Sequence, residues 1–227
     1  MPDLTFDFVA KLYERHADAL RLVRTEQRAL LADGLKAQLD DIEAELTYLL
    51  LREYRPETVA EIGCLHGWST SWILRALRDN GHGHLYSFDL VDDARRHVPA
   101  ELSDGRWTFT GGDVRDTVLP VEVDYLFVDA AHSGRFARWY LADLVPRLAP
   151  GTPISVHDVF HYARAVPFSE GAVVLKWLRD KGIPYFTAAG AHAPDVHVQI
   201  MALKQELGIG ESVHTGRDNP MIFFALR

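Results

Sequence analysis

The stretch Val59-Ala60-Glu61-Ile62-Gly63-Cys64-Leu65-His66-Gly67-Trp68-Ser69-Thr70 reads as the end of a strand, a glycine loop and the start of a helix. Gly63 and Gly67 permit a tight turn and let backbone N–H groups approach a ligand closely. The helix that follows favours an anionic group at its N-terminus. A dinucleotide loop needs Gly-x-Gly-x-x-Gly. Here Leu65 stands at the second glycine position and no third glycine follows. A pyrophosphate has no cradle, which argues against a nicotinamide oxidoreductase. A smaller ligand with one carboxylate fits better.

Outward from this loop the chain alternates between β-rich and helical segments. Residues 58–63, 84–89, 107–110, 124–129 and 153–158 read as strands. Residues 69–77, with a Ser/Thr cap, and 135–148 read as helices between them. Such alternation predicts a parallel sheet with helices on both faces. The tail reads as helix 173–181, strand 183–187, helix 198–207 and strand 221–226. Upstream, Val9, Leu12, Tyr13, His16, Leu20 and Val23 recur at helical spacing until Asp33-Gly34 breaks the pattern. Leu35, Leu39, Ile42, Leu46 and Leu49 then form a heptad stripe that ends near Arg55-Pro56. Packing on its own domain is the favoured reading of this stripe, and a homodimer seam is the alternative. Residues 1–55 are thus expected to form an N-terminal helical extension on a domain spanning 56–227.

Composition narrows the function classes. The 227 residues are 48% hydrophobic and 25% charged, as in globular domains, and the net charge is −8. That charge disfavours nucleic acid as a partner, because a nucleic-acid binder needs a basic face for phosphates. The lone cysteine, Cys64, allows no internal disulfide and fits a reducing cytoplasmic setting. The opening Met1-Pro2-Asp3-Leu4-Thr5-Phe6-Asp7 has no cationic region and no apolar core, so no signal peptide is expected there. No apolar run approaches the roughly 20 residues of a membrane span.

Acidic residues recur at the strand ends. Asp89 closes the second strand, where a carboxylate can accept from ribose hydroxyls. Gly111-Gly112-Asp113 follows the third strand and could accept from an adenine amine. Glu61, Gly63, Gly67, Asp89, Asp113 and Asp129 in this order resemble the class I S-adenosylmethionine-dependent methyltransferases, in their small bacterial O-methyltransferase-like branch. The likeness covers residues 58–160 and, more loosely, the tail around Asn219-Pro220-Met221-Ile222-Phe223-Phe224. It implies an α/β, Rossmann-like, doubly wound sheet of seven strands in the order 3-2-1-4-5-7-6, the last antiparallel. It implies S-adenosylmethionine as cofactor, with Gly63 and Gly67 around its methionine part and Glu61 beneath the amino group. Asp89 is then expected at the ribose and Asp113 at the adenine, with Ser69 and Asp129 completing the binding set. Gly67 as a helix-packing residue, Asp113 as a turn cap and Trp68 as core are the plainer readings.

The reacting end is expected where strands four and five finish, at Asp129-Ala130-Ala131-His132 and His157-Asp158-Val159-Phe160-His161. A hydroxyl acceptor must lose a proton, and His132 or His157 suits that task. A divalent metal on Asp129 and Asp158 is the other route. Related enzymes carry an acidic or Asp-Asn pair on strand five, and this chain has His157 where a carboxylate would stand. Mixed ligation would accept Mn²⁺, Fe²⁺ or Zn²⁺ as well as Mg²⁺. His132 as a loop anchor and His157 as a prop are the structural alternatives. Phe160, Tyr162, Phe168 and Trp177 read as core or as walls of an acceptor pocket. The expected function is O-methylation of a small-molecule hydroxyl. The alternative keeps the cofactor but closes a ring on its own carbon chain, releasing methylthioadenosine.

Overall fold

The computed structural model describes residues 4–120, 122–215 and 220–227; Met1-Pro2-Asp3 and Asn219 of the motifs above lie outside them. Seven strands form one sheet in the order β3-β2-β1-β4-β5-β7-β6. They are β1 (Thr58–Ile62), β2 (His84–Asp89), β3 (Trp107–Gly111), β4 (Tyr125–Val128), β5 (Pro153–Val156), β6 (Tyr185–Phe186) and β7 (Ile222–Ala225). The first five are parallel, and β7 runs antiparallel between β5 and β6. The sheet expected from the resemblance is the sheet observed. β4 and β5 are buried at every position, as strands covered on both faces must be.

The helices are α1 (Phe6–Ala32), α2 (Asp41–Tyr54), α3 (Trp68–Asn80), α4 (Ala94–His97), α5 (Ala100–Ser103), α6 (Gly134–Trp139), α7 (Glu170–Lys181) and α8 (Pro194–Glu206). Val59, Tyr125 and Phe127 face one apolar cluster with α1, α2 and α3. Their strand neighbours Ala60, Leu126 and Val128 face the second cluster, with α6 and α7. Alternation along each strand therefore builds two cores, one per face.

Three local readings are corrected by tertiary detail. α2 starts at Asp41, not Leu35, because Asp40 caps it: its side chain accepts from Ile42 and Glu43 N–H, and the Glu43 carboxylate accepts from Asp40 N–H. Leu35 and Leu39 precede the helix, and the whole stripe is buried in this chain's own core, so it offers no free dimer seam. α3 has Gly67 at its N-cap with no side-chain cap bond, since Ser69 and Thr70 turn inward to Glu61. α6 is short and passes into a π turn at Tyr140–Leu144 and a 3-10 turn at Val145–Arg147, where Pro146 lacks a donor.

α1 and α2 are tied together by buried charge. Arg24 contacts Asp41 and Glu45, Lys204 of α8 lies 2.9 Å from Glu45, and the Tyr13 hydroxyl donates to Glu45 at 2.9 Å. Asp41 also accepts from Val213 and His214 N–H at 2.9 and 2.8 Å, drawing in the segment before β7. No described helix is long and apolar enough to cross a membrane.

Gly63 and Gly112 both have φ in the left-handed region, at +86° and +117°. A Cβ at Gly63 would lie 1.8 Å from the Asp129 carbonyl oxygen, whereas one at Gly112 meets nothing within 4 Å. Gly112→Ala should therefore cost about 1–2 kcal/mol in urea unfolding, from backbone strain alone. Gly63→Ala should cost clearly more; equal losses would show that the β1–β4 approach is not tight.

Candidate active site

The parallel ladder sets the site. Gly63 N–H donates to Phe88 O, Asp129 N–H to Ile62 O and His157 N–H to Val128 O, at 2.8, 2.8 and 2.9 Å. The tips of β2, β1, β4 and β5 are thereby held side by side. Above them lies a cavity of about 670 Å³, lined by Gly63, Cys64, Leu65, Phe88, Asp89, Asp113 and Arg115 on one side. The other side holds Glu43, Asp129, His132, Phe136, His157 and Asp158.

On the first side, Asp89 holds the glycine loop. Its Oδ2 accepts from Cys64 and Leu65 N–H at 2.7 and 2.8 Å, and its Oδ1 accepts from Val91 N–H at 3.1 Å. The Cys64 thiol also stands beside this carboxylate, and Oδ1, with one backbone hydrogen bond among the described residues, is the oxygen open to a further donor. Asp113 accepts from Arg115 backbone N–H and from its guanidinium, both at 2.9 Å. Those hydrogen bonds pull its carboxyl down to about 2.

Glu61, Gly67 and Ser69 stand outside the cavity lining. Glu61 is fully buried, accepting from Ser69, Thr70 and Ser87 hydroxyls at 2.6, 2.8 and 2.5 Å. Burial outweighs these bonds and raises its carboxyl to about 7. A Cβ on Gly67 would meet Val98 Cγ2 at 2.7 Å, so this glycine admits α4 against the loop. Trp68 is core, its indole N–H donating to Leu39 O at 3.2 Å.

On the second side, two imidazoles meet four carboxylates. His157 Nδ1 lies 2.9 Å from Asp129 Oδ1 and 3.3 Å from Asp158 Oδ1, and its Nε2 lies 3.3 Å from Glu43 Oε2. His132 Nε2 lies 3.5 Å from Asp129 Oδ1 and 3.4 Å from Asp158 Oδ2, and its Nδ1 lies 3.4 Å from Glu170 Oε2. Burial alone would lower both imidazoles, but the carboxylates win. His157 is raised well above its ordinary value, mainly by Asp129 and Glu43. His132 is raised too, by Glu170, Asp129 and Asp158. Burial would raise Asp129, yet His157 and His132 hold it below the usual range. Three side-chain nitrogen and oxygen donors, one each from Asp129, His132 and His157, lie within 4.8 Å of one another. His132 and Asp158 carry positive φ, 44° and 57°, without being glycine. Such strain gathers at functional sites.

Glu43 and Glu170 were not singled out from the sequence. Glu43 carried only a helix-start signal, in Asp40-x-x-Glu43, and Glu170 only its place after the cap Ser169. His161 reaches Asp158 Oδ1 at 3.4 Å but lies off the cavity. Phe160 is buried and stacks on His192 instead, while Tyr162 and Phe168 are 68% and 91% exposed. Of these aromatic candidates, Trp177 included, none lines this cavity; Phe136 and Phe88 do.

Residues 60–159 match a family model described as a methyltransferase domain. Among solved structures, an O-methyltransferase from Bacillus cereus in complex with S-adenosylhomocysteine superimposes with a TM-score of 0.62 at 16% identity, covering 98% of this chain and 100% of that one. The methyltransferase PaMTH1 of Podospora anserina, bound to S-adenosylhomocysteine, gives 0.56 at 16% identity over 92% and 88%. A CmcI structure with magnesium and S-adenosylmethionine gives 0.52 at 17% identity over 82% and 72%. No curated protein is significantly similar in sequence. Residues 60–159 thus match a methyltransferase domain, and the chain as a whole shares the fold of these S-adenosylhomocysteine-bound methyltransferase structures.

The buried Glu61 yields a pH test. Its folded value of about 7 lies above the unfolded 4.5, so the folded state binds the extra proton between them. Stability should fall as pH rises through that window and level off above it. Glu61→Gln removes the titration. Its unfolding free energy relative to the parent, measured with urea, should climb from pH 4.5 to 7, toward a difference of about 3 kcal/mol. A pH-independent difference would mean that Glu61 stays ionised.

Proposed function

We propose that this enzyme transfers the methyl group of S-adenosylmethionine to a hydroxyl oxygen of a small molecule. The observation that carries the reading is the two-ended cavity. Asp89 and Asp113 stand at one end, and the Asp129, His132, His157 and Asp158 cluster stands at the other. An adenosyl group suits the first end. The open Oδ1 of Asp89 can take a ribose hydroxyl, and Asp113 and Arg115 offer a polar edge for adenine. Methyl transfer asks the protein to align donor and acceptor and exclude water. Phe88, Leu65 and Phe136 supply apolar wall for that purpose.

A hydroxyl must also be deprotonated. His132 and His157 are poor bases in this setting, since surrounding carboxylates favour their protonated forms. A divalent metal fits the cluster better: His157 Nδ1 is buried 2.9 Å from Asp129 Oδ1, in a contact without the alignment of a hydrogen bond. Held by Asp129 and neighbours among Asp158, His132 and His157, such an ion supplies Lewis acidity that lowers a hydroxyl's pKa. The likeness to the magnesium-containing CmcI structure supports a metal here.

Two measurements test the reading. Asp89→Ala should weaken S-adenosylhomocysteine binding at least fivefold by calorimetry, the loss of one hydrogen bond to a charged acceptor; unchanged affinity would remove Asp89 from the site. Incubation with S-adenosylmethionine and a panel of phenols, sugars and polyketide alcohols should yield S-adenosylhomocysteine and a methyl ether. Methylthioadenosine in its place would establish the ring-closing chemistry.

A further inference from the structure

We propose that Asp129, His132 and His157 form a two-histidine, one-carboxylate centre that selects a transition dication such as Co²⁺, Fe²⁺ or Zn²⁺ over Mg²⁺. This rests on the reading of the cluster as a metal site and goes beyond it to the ion and its supports. Two bonds of about 2.1 Å to one ion place their ligand atoms about 3.0 Å apart in octahedral geometry and about 3.4 Å in tetrahedral. Asp129 Oδ1 lies 2.9 Å from His157 Nδ1 and 3.5 Å from His132 Nε2, which are spacings of that size. Imidazole nitrogen suits Zn²⁺, Fe²⁺ and their neighbours, whereas Mg²⁺ demands oxygen and sheds water reluctantly. Asp158 lies within 3.4 Å of both imidazoles, a place from which it can serve as a further oxygen ligand or hold a bound water.

The outer contacts point the same way. Each imidazole turns one nitrogen toward Asp129 and the other toward a buried glutamate. His157 Nε2 faces Glu43 and His132 Nδ1 faces Glu170. Carboxylates behind ligating histidines fix the ring and the tautomer and raise the basicity of the ligating nitrogen. Glu170 is 1% exposed, neither of its oxygens makes a well-formed hydrogen bond among the described residues, and its polar neighbours are His132 and the buried Tyr140 hydroxyl. Glu43 is anchored from both sides, accepting from Asp40 and Met221 N–H at 3.2 and 3.0 Å. Both are positioning residues. One sits near the start of α2 and the other opens α7, so helices from opposite faces of the sheet converge on the two rings.

The test is direct metal binding to the full chain after chelation and dialysis. Co²⁺ should bind with visible d–d absorption, Zn²⁺ should abolish the bands, and Mg²⁺ in large excess should leave them. His132→Gln and His157→Gln should each weaken Co²⁺ at least about tenfold. Glu170→Gln should shift the bands and weaken binding by about 10–100-fold, a change that a merely structural glutamate would not produce. S-adenosylhomocysteine affinity, measured on the same samples, verifies that each variant is folded and reports the cofactor reading separately. Displacement of Co²⁺ by comparable Mg²⁺, absence of d–d bands, or parental Co²⁺ affinity in both histidine variants would overturn the proposal.

Discussion

The space that a side chain would need at residue 63 is filled by the backbone of Asp129, whose carbonyl oxygen sits where a Cβ would be. Everything at the carboxyl edge of the sheet depends on that approach. It brings the loop after β1 against the loop after β4, so Asp89 and Asp113 share one cavity with Asp129, His132, His157 and Asp158. Parallel pairing alone would align the strands, but the gap between the two loops is closed because residue 63 has nothing to displace. Asp89 completes the arrangement from β2 by taking the loop's N–H groups, which would otherwise point unpaired into the cavity wall.

The N-terminal helices are part of the same machinery. Arg24, Asp41, Glu45 and Lys204 make a buried ionic network joining α1, α2 and α8. Networks of this kind are a weak source of net stability, but removing one member leaves a buried charge without its partner. Here the network also orients. It sets α2, whose first turn carries Glu43 to His157, and its Asp41 gathers the backbone at Val213 and His214 beside the cavity. A segment that could have been mere decoration thus supplies a contact to the histidine–carboxylate cluster.

Charge at that end is lopsided. Asp129, Asp158, Glu43 and Glu170 surround two imidazoles, in a pocket where burial magnifies each interaction. The imidazole protons offset part of the negative charge. A dication that replaces those two protons brings equal charge to one point, which is why the cluster reads as a place for an ion rather than as a set of free bases. Class I architecture by itself decides none of this, since one fold serves many acceptors.

Much of the architecture was legible without coordinates. Short β-rich runs, nearly continuous in apolar residues at Tyr125–Val128, separated by helical segments specify a parallel sheet, because a strand buried on both faces has few ways to be spelled. Gly63, Asp89, Asp113, Asp129, His132, His157 and Asp158 could be placed at strand ends for the same reason, and all line the cavity. Helix starts were less legible: Asp40 rather than Leu35 governs α2, and hydroxyls that resemble a cap at Ser69 and Thr70 serve Glu61 instead. The orientation of Gly67 toward α4, and the pairing of Glu43 with His157 and Glu170 with His132, left no local trace. Local sequence determines periodicity, turns and which residues reach a strand's tip. Contacts between residues more than a hundred positions apart, such as Glu43 and His157, arise only when packing brings two elements together, so the tertiary structure alone decided how the site is supported.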